Sequence, residues 1–307
     1  MTETTLYEYW PIVERPPLEW PDGKRLAFYI ALNVEHFEPG KPSTALFPPT
    51  TSLPVDPLNH GWRDYGTRVG IWRMIDLLDR YEIRASVLLN SEVCDHYPQI
   101  IEAGIERDWI WCAHGFNNSS LWTGMELEEE REAAGRMLEQ LARGTGVRPK
   151  GWLGPALTET ANTPEILAEH GLSYLMDWCN DDQPYPLNVR AGRMISVPYS
   201  IEVNDIPLFL GHGLTAPEFH QLAVDQFDVL HEEAQRRSGA VMALSLHPFL
   251  INLPFRHRYL DLVLEHVCRH DDVWITTSDD IADWYFEHYY EGAVAALASY
   301  RDQRPSK

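Results

Sequence analysis

Apolar runs and amphipathic stretches alternate along almost the whole chain. Residues 24–37 (KRLAFYIALNVEHF) open with two basic residues and continue as a nearly unbroken apolar run, the pattern of a strand covered on both faces. Shorter runs at 85–89, 109–113, 150–153, 173–177, 240–246 and 273–277 predict further strands. Residues 194–203 read as two strand-like pieces with no helix between them. Val69, Ile71, Trp72, Ile75 and Leu78 recur at helical spacing and predict a helix over 68–81. Helices are also expected at 98–107, 126–143, 163–170, 216–237 and 255–269, and after the last strand. Asn162, Thr163 and Pro164 mark one helix start, and Asp279 and Asp280 read as first-turn capping residues of another. The Pro-rich residues 39–57 fit no regular element and are expected to form a functional loop.

Strands separated by helices, without a Gly/Ser-rich linker, imply one parallel α/β domain. A doubly wound sheet usually carries a glycine-rich turn after its first strand. Here the first strand runs into NVEHFEPG, so a barrel fits better, irregular near Met194. Barrel chemistry sits at the C-terminal strand ends. Those ends deliver Glu35 and His36, then Asn90 to Glu92, His114 to Asn118, Trp152 to Gly154, Asp177 with Trp178, and His247. Polar groups after successive apolar runs should converge on one pocket. Glu35 is the sharpest of them, because an unpaired carboxylate after an apolar strand is costly to bury. His36 is ambiguous, since neighbours on a strand face opposite sides.

Composition narrows the function classes. Forty-six acidic residues against 25 basic ones give a formal net charge of -21. Such a surface repels phosphate backbones and anionic lipid, so neither nucleic acid nor a membrane is an expected partner; the acidity reads as a solubility feature of a cytoplasmic protein. With 44% hydrophobic residues the chain can bury a sizeable core. Cys94, Cys112, Cys179 and Cys268 form no CxxC pair, and Cys112, Cys179 and Cys268, in apolar or aromatic surroundings, read as reduced core thiols. The N-terminus has no basic and apolar leader pattern, and no window reaches the roughly 18 apolar residues of a membrane span.

In order along the chain, NVEHF at 33–37, DYGTRVGIWRMIDLLDRY at 64–81, CAHGFNN at 112–118, GWLGPALTETANTPEIL at 151–167, DDQPY at 181–185 and LSLHP at 244–248 resemble the polysaccharide deacetylase superfamily (NodB-like, carbohydrate esterase family 4), and within it the allantoinase-like and cyclic imide hydrolase branch. The resemblance implies a single-domain, distorted (β/α)7-type barrel over residues 24–290. Residues 1–23 would be an extension packed on it and 291–307 a tail. It also implies assembly into homo-oligomers and a small-molecule substrate. Sugar deacetylases of the family carry an Asp-Asp pair on strand one and His-x-x-x-His on strand three. This chain departs at both places, with Glu35-His36 and with Asn118 four residues after His114. Two readings therefore stay open: a divalent metal, zinc by ligand chemistry, held by His36 and His114 with a third donor, or a metal-free site.

Hydrolysis of an amide, imide or ureide needs an activated water, oxyanion stabilisation and a proton for the leaving nitrogen. Glu35 is the expected base, His114 the group holding the water, metal or oxyanion, and His247 the acid. Backbone amides near Leu153 and Gly154 are expected in the oxyanion hole. His36, Asn118, Trp152, Gly154, Trp178 and Arg68 are expected to bind substrate, with Arg63, Asp64 and Tyr65 either assisting or forming structural ion pairs. Ser91 has no nucleophile elbow and Cys112 lies within an apolar strand, which disfavours covalent catalysis. A carbohydrate deacetylase and a non-catalytic binding protein on the same scaffold are the competing readings.

Overall fold

The first apolar run forms strand β1, Leu26–Val34, with all nine residues buried. In this computed structural model, which describes residues 6–302, eight further strands complete one sheet: β2 (Ser86–Leu89), β3 (Ile110–Ala113), β4 (Gly151–Trp152), β5 (Tyr174–Leu175), β6 (Tyr185–Leu187), β7 (Met194–Ser196), β8 (Ala240–Leu246) and β9 (Val273–Ile275). Their order is β6-β7-β5-β4-β3-β2-β1-β8, with β9 also paired to β1. Every pairing is parallel except β6 with β7. The sheet curls until the bridge between Asn204 and Ser245 joins the segment after β7 to β8. The result is the expected distorted α/β barrel.

Side chains along β1 divide between two cores. Leu26, Phe28, Ile30, Leu32 and Val34 face the outer layer under the helices, while Ala27, Tyr29 and Ala31 face the barrel interior. This is the period-two alternation of a strand, with small residues where the interior is tight. The same phase puts Cys112 and Val241 with Ala243 inside, and Ala113 and Leu244 with Leu246 outside.

Three local expectations need correction. The helix at 68–81 begins as a wide π-turn at Gly66–Gly70 before the α-helix Ile71–Arg80, and Val69 and Trp72 lie at the surface rather than in the core. The helix Pro57–Tyr65 starts where only loop was expected, capped by the Asp56 side chain on the Asn59 N–H. Beyond residue 290 the described chain is the helix Tyr290–Asp302, whose Ala293 and Leu297 join the inner core cluster; residues 303–307 and 1–5 lie outside the described residues. No helix among the described residues is long and apolar enough to cross a membrane.

Candidate functional site

Glu35, His114 and His247 each follow an inward-facing position by the strand period: Ala31 and Asn33 before Glu35, Cys112 before His114, Ala243 and Ser245 before His247. They meet at the C-terminal rim. Glu35 Oε1 stands 3.5 Å from His114 Nε2 and 3.6 Å from His247 Nε2, and all three side chains are almost fully buried. Gly115, with φ +65°, turns the chain directly after His114 where a side chain would strike Pro155.

Each ring has a defined second contact. The Leu153 carbonyl accepts from His114 Nδ1 at 2.6 Å. A carbonyl can only accept, so the neutral ring keeps its lone pair on Nε2, facing the carboxylate. That Nε2 and Glu35 Oε2 are both buried without a protein partner. His247 Nδ1 bonds Asp205 Oδ1 at 2.6 Å, and the His247 backbone N–H donates to Asp205 Oδ2 at 2.9 Å. Burial disfavours the charged His247 ring, but the charges of Asp205 and Glu35 and the Asp205 hydrogen bond outweigh it and raise its pKa.

Asn118 belongs to the same centre. Its Nδ2 donates to Glu35 Oε1, and its Oδ1 accepts from Asn90 Nδ2 at 3.0 Å. Asn90 in turn donates to the His114 carbonyl and accepts from the His36 N–H at 2.9 Å. One buried carboxamide thus joins the ends of three strands.

Other expected site residues lie elsewhere. β1 ends at Val34, yet His36 keeps the outward phase of the strand and leaves the Glu35 cluster. Its ring stacks on His96 at 4.1 Å, its Nε2 lies 3.9 Å from Glu92 Oε2, and its Nδ1 is 3.3 Å from the Tyr97 hydroxyl. Burial and His96 lower its pKa to about 4. His36 and His114 therefore do not share a metal site. Arg68 is a surface residue with 73% of its side chain exposed, facing Asp64 at 3.7 Å. Arg63 is buried and holds the Thr44 carbonyl, and Tyr65 pairs with Arg73. Trp152 is wholly buried edge-on against Trp122, and Trp178 is half-buried against Tyr7.

The expected oxyanion amides are engaged. The Leu153 N–H donates to the Ala113 carbonyl at 3.0 Å and the Gly154 N–H to Asp177 Oδ1 at 2.7 Å. Ser91 Oγ bonds Gln140, and burial pushes the Cys112 thiol up to about 12, so neither is an activated nucleophile.

A zinc centre at Glu35 and His114 would need a third donor. The position four residues after His114 directs an amide N–H at the carboxylate instead of a lone pair, and Glu35, His114 and His247 do not bring three ligand atoms within 4.8 Å of one another. The residues do not fit that ion. The described group of this kind is His36, Glu92 and His96.

A curled parallel barrel with a buried carboxylate set between two imidazoles at its C-terminal rim defines a proton-transfer site of an α/β-barrel protein. Comparison with known proteins agrees with this class. Residues 63–175 match the polysaccharide deacetylase family. A Schizosaccharomyces pombe protein of the polysaccharide deacetylase class is 27% identical over 308 residues, 89% of this chain and 94% of its own. The crystal structure of a probable polysaccharide deacetylase from Pseudomonas aeruginosa PAO1 superposes with TM-score 0.79 at 27% identity, covering 90% of this chain and 96% of that one. The Puue allantoinase structure superposes with TM-score 0.79 at 26% identity, covering 92% and 100%. Over residues 63–175 the chain is similar to the polysaccharide deacetylase family, and it shares the fold of these two structures.

Proposed function

We propose that this protein is a hydrolase of a non-peptide carbon–nitrogen bond in a small amide, cyclic imide or ureide. The observation that carries the reading is the meeting of Glu35 Oε1 with Nε2 of both His114 and His247, with Asp205 behind His247. Glu35 Oε2 and His114 Nε2 are both buried acceptors without a protein partner, a pair that suits a water held by both of its hydrogens. Glu35 takes one proton as the water attacks the carbonyl carbon. His247, favoured as imidazolium by Asp205 and Glu35, faces the charge that develops on oxygen and then protonates the leaving nitrogen. Asn118 fixes Glu35 for the attack. The likeness to an allantoinase over the whole of that chain supports a cyclic ureide or imide.

The family match and the Pseudomonas relative support a second reading, removal of an acetyl group from a carbohydrate amide, which breaks the same kind of bond. An assay of allantoin, hydantoins and cyclic imides beside acetylated chito-oligomers separates the two. Ring opening without ammonia release, abolished in Glu35→Gln, is expected. Acetate release alone favours the second reading, and turnover unaffected by Glu35→Gln overturns both.

A further inference from the structure

We propose that His36, Glu92 and His96 form a binding site for a divalent transition-metal ion of the zinc class, separate from the Glu35 centre. Each offers one ligand atom, two imidazole nitrogens and a carboxylate oxygen, and all three lie within 4.8 Å of one another. A tetrahedral zinc with ligand distances of about 2.0–2.1 Å brings its ligands to roughly 3.3 Å apart. Glu92 keeps 29% of its side chain exposed and His96 lies at the surface, so both side chains have room to turn toward His36. The exposed His96 also gives the ion an entry path.

The surroundings suit a ligand set. The Tyr97 hydroxyl engages His36 Nδ1 at 3.3 Å, which leaves Nε2 for an ion. Asn117 Nδ2 donates to Glu92 Oε2 at 3.1 Å, an outer contact to the carboxylate. Such outer contacts orient metal ligands. His60, on the helix Pro57–Tyr65, acts electrostatically on His36 and has a buried Nδ1 without a hydrogen-bond partner.

Position gives the ion a role in holding the reaction centre. His36 is the peptide neighbour of Glu35, and its carbonyl accepts from the Asn118 N–H at 2.9 Å. Glu92 follows Asn90 by two residues, and Asn90 accepts from the His36 N–H. An ion across His36, Glu92 and His96 pins the chain after β1 to the chain after β2, the two pieces that frame the Glu35 and Asn118 contact. His36 is here a positioning residue, and the assignment does not depend on which bond the enzyme cuts.

The test is zinc titration of chelator-stripped full-length protein by calorimetry, with cobalt(II) as a visible-absorption probe. One equivalent of zinc, a cobalt spectrum of a low-coordinate N/O site and a zinc-dependent rise in Tm are expected. His96→Ala and Glu92→Gln, both at partly exposed positions, should each weaken binding at least tenfold while leaving the Tm without metal unchanged. A second histidine group, His231, His266 and His270 beside Asp228 and Asp272, is the competing surface site, so His266→Ala serves as control and should bind normally. Unchanged affinity in both His96→Ala and Glu92→Gln, loss of binding in His266→Ala, or no zinc uptake by the wild type overturns the assignment.

Discussion

Asp205 grips His247 twice, with Oδ2 on its backbone N–H at 2.9 Å and Oδ1 on its ring Nδ1 at 2.6 Å. The first bond fixes the strand end and the second fixes the ring, so Nε2 points at Glu35. Asp205 is wholly buried, and much of the energy that raises the His247 pKa comes from it. The sign follows directly. An acid works only while protonated, so a raised pKa carries activity to higher pH. Asp205→Asn should lower the His247 pKa and move the alkaline limb of the kcat/KM profile to lower pH. The rate at the optimum should fall by about 10²–10⁴-fold, the range for lost general acid catalysis. A pH profile that keeps its alkaline limb in Asp205→Asn removes His247 from the role of acid.

Asn118 is the group whose type sets this site apart, and its contribution is separable. In Asn118→Ala the buried Glu35 Oε1 loses its donor. Removing one partner of a buried charge-assisted hydrogen bond costs about 1–3 kcal/mol. Urea unfolding at neutral pH should show a loss of that size, and kcat should fall as Glu35 loses its fixed orientation. Wild-type stability in this variant contradicts the contact.

A second carboxyl pair at the same rim carries a pH signature. The turn after β4 passes through Ala156 and Leu157, both left-handed at φ 52° and 55°, and brings Glu159 toward Asp177. Burial pushes Glu159 up to about 7, with Trp178 opposing and Glu130 adding to the shift. Burial and Glu159 also push Asp177 well above its usual range, against the Gly154 N–H. Both groups hold protons in the folded state that the unfolded chain has lost. The Glu159 contribution to stability should therefore fall as pH rises from about 4.5, the unfolded value, to about 7, and level off above. Glu159→Gln should make that fall shallower in urea titrations at pH 5, 6 and 7. An unchanged slope rules out Glu159 as its source.

Much of the barrel was legible because long buried runs declare themselves. The β1 and β8 runs are apolar on both faces, and continuing their alternation outward places Glu35 and His247 inside. His36 was ambiguous only while the strand end was unknown; its outward phase persists past Val34. Asp205 was missed because it comes from a segment after β7 that holds a single bridge to β8 and no regular strand. No periodicity marks such a residue. The amides of Leu153 and Gly154 were expected to be free, but Ala113 and Asp177 accept from them, contacts set by three-dimensional neighbours that local sequence does not encode. The short strands β6 and β7 pair antiparallel at the barrel's irregular edge, where three-residue runs give too little pattern to read. The π-turn at Gly66–Gly70 was hidden for a related reason, since apolar spacing reports a helical face and not the width of its turns.

That π-turn supports the His247 loop through two glycines. A Cβ at Gly66 would meet Phe249 at 2.9 Å, and one at Gly70 would meet the Pro248 carbonyl oxygen at 2.1 Å. The Gly70 contact is with backbone, which cannot swing aside as a side chain can. Gly70→Ala must therefore push the helix Ile71–Arg80 and the Pro248–Ile251 turn apart, and His247 sits at the start of that turn. Overpacking of this kind costs about 1–3 kcal/mol. The variant should unfold at lower denaturant and also lose kcat, because His247 Nε2 shifts from Glu35 while the residues around Glu35 and His114 stay in place. A variant that loses stability but keeps full kcat would show that the His247 position does not depend on this packing, and Asp205 would then be its main anchor.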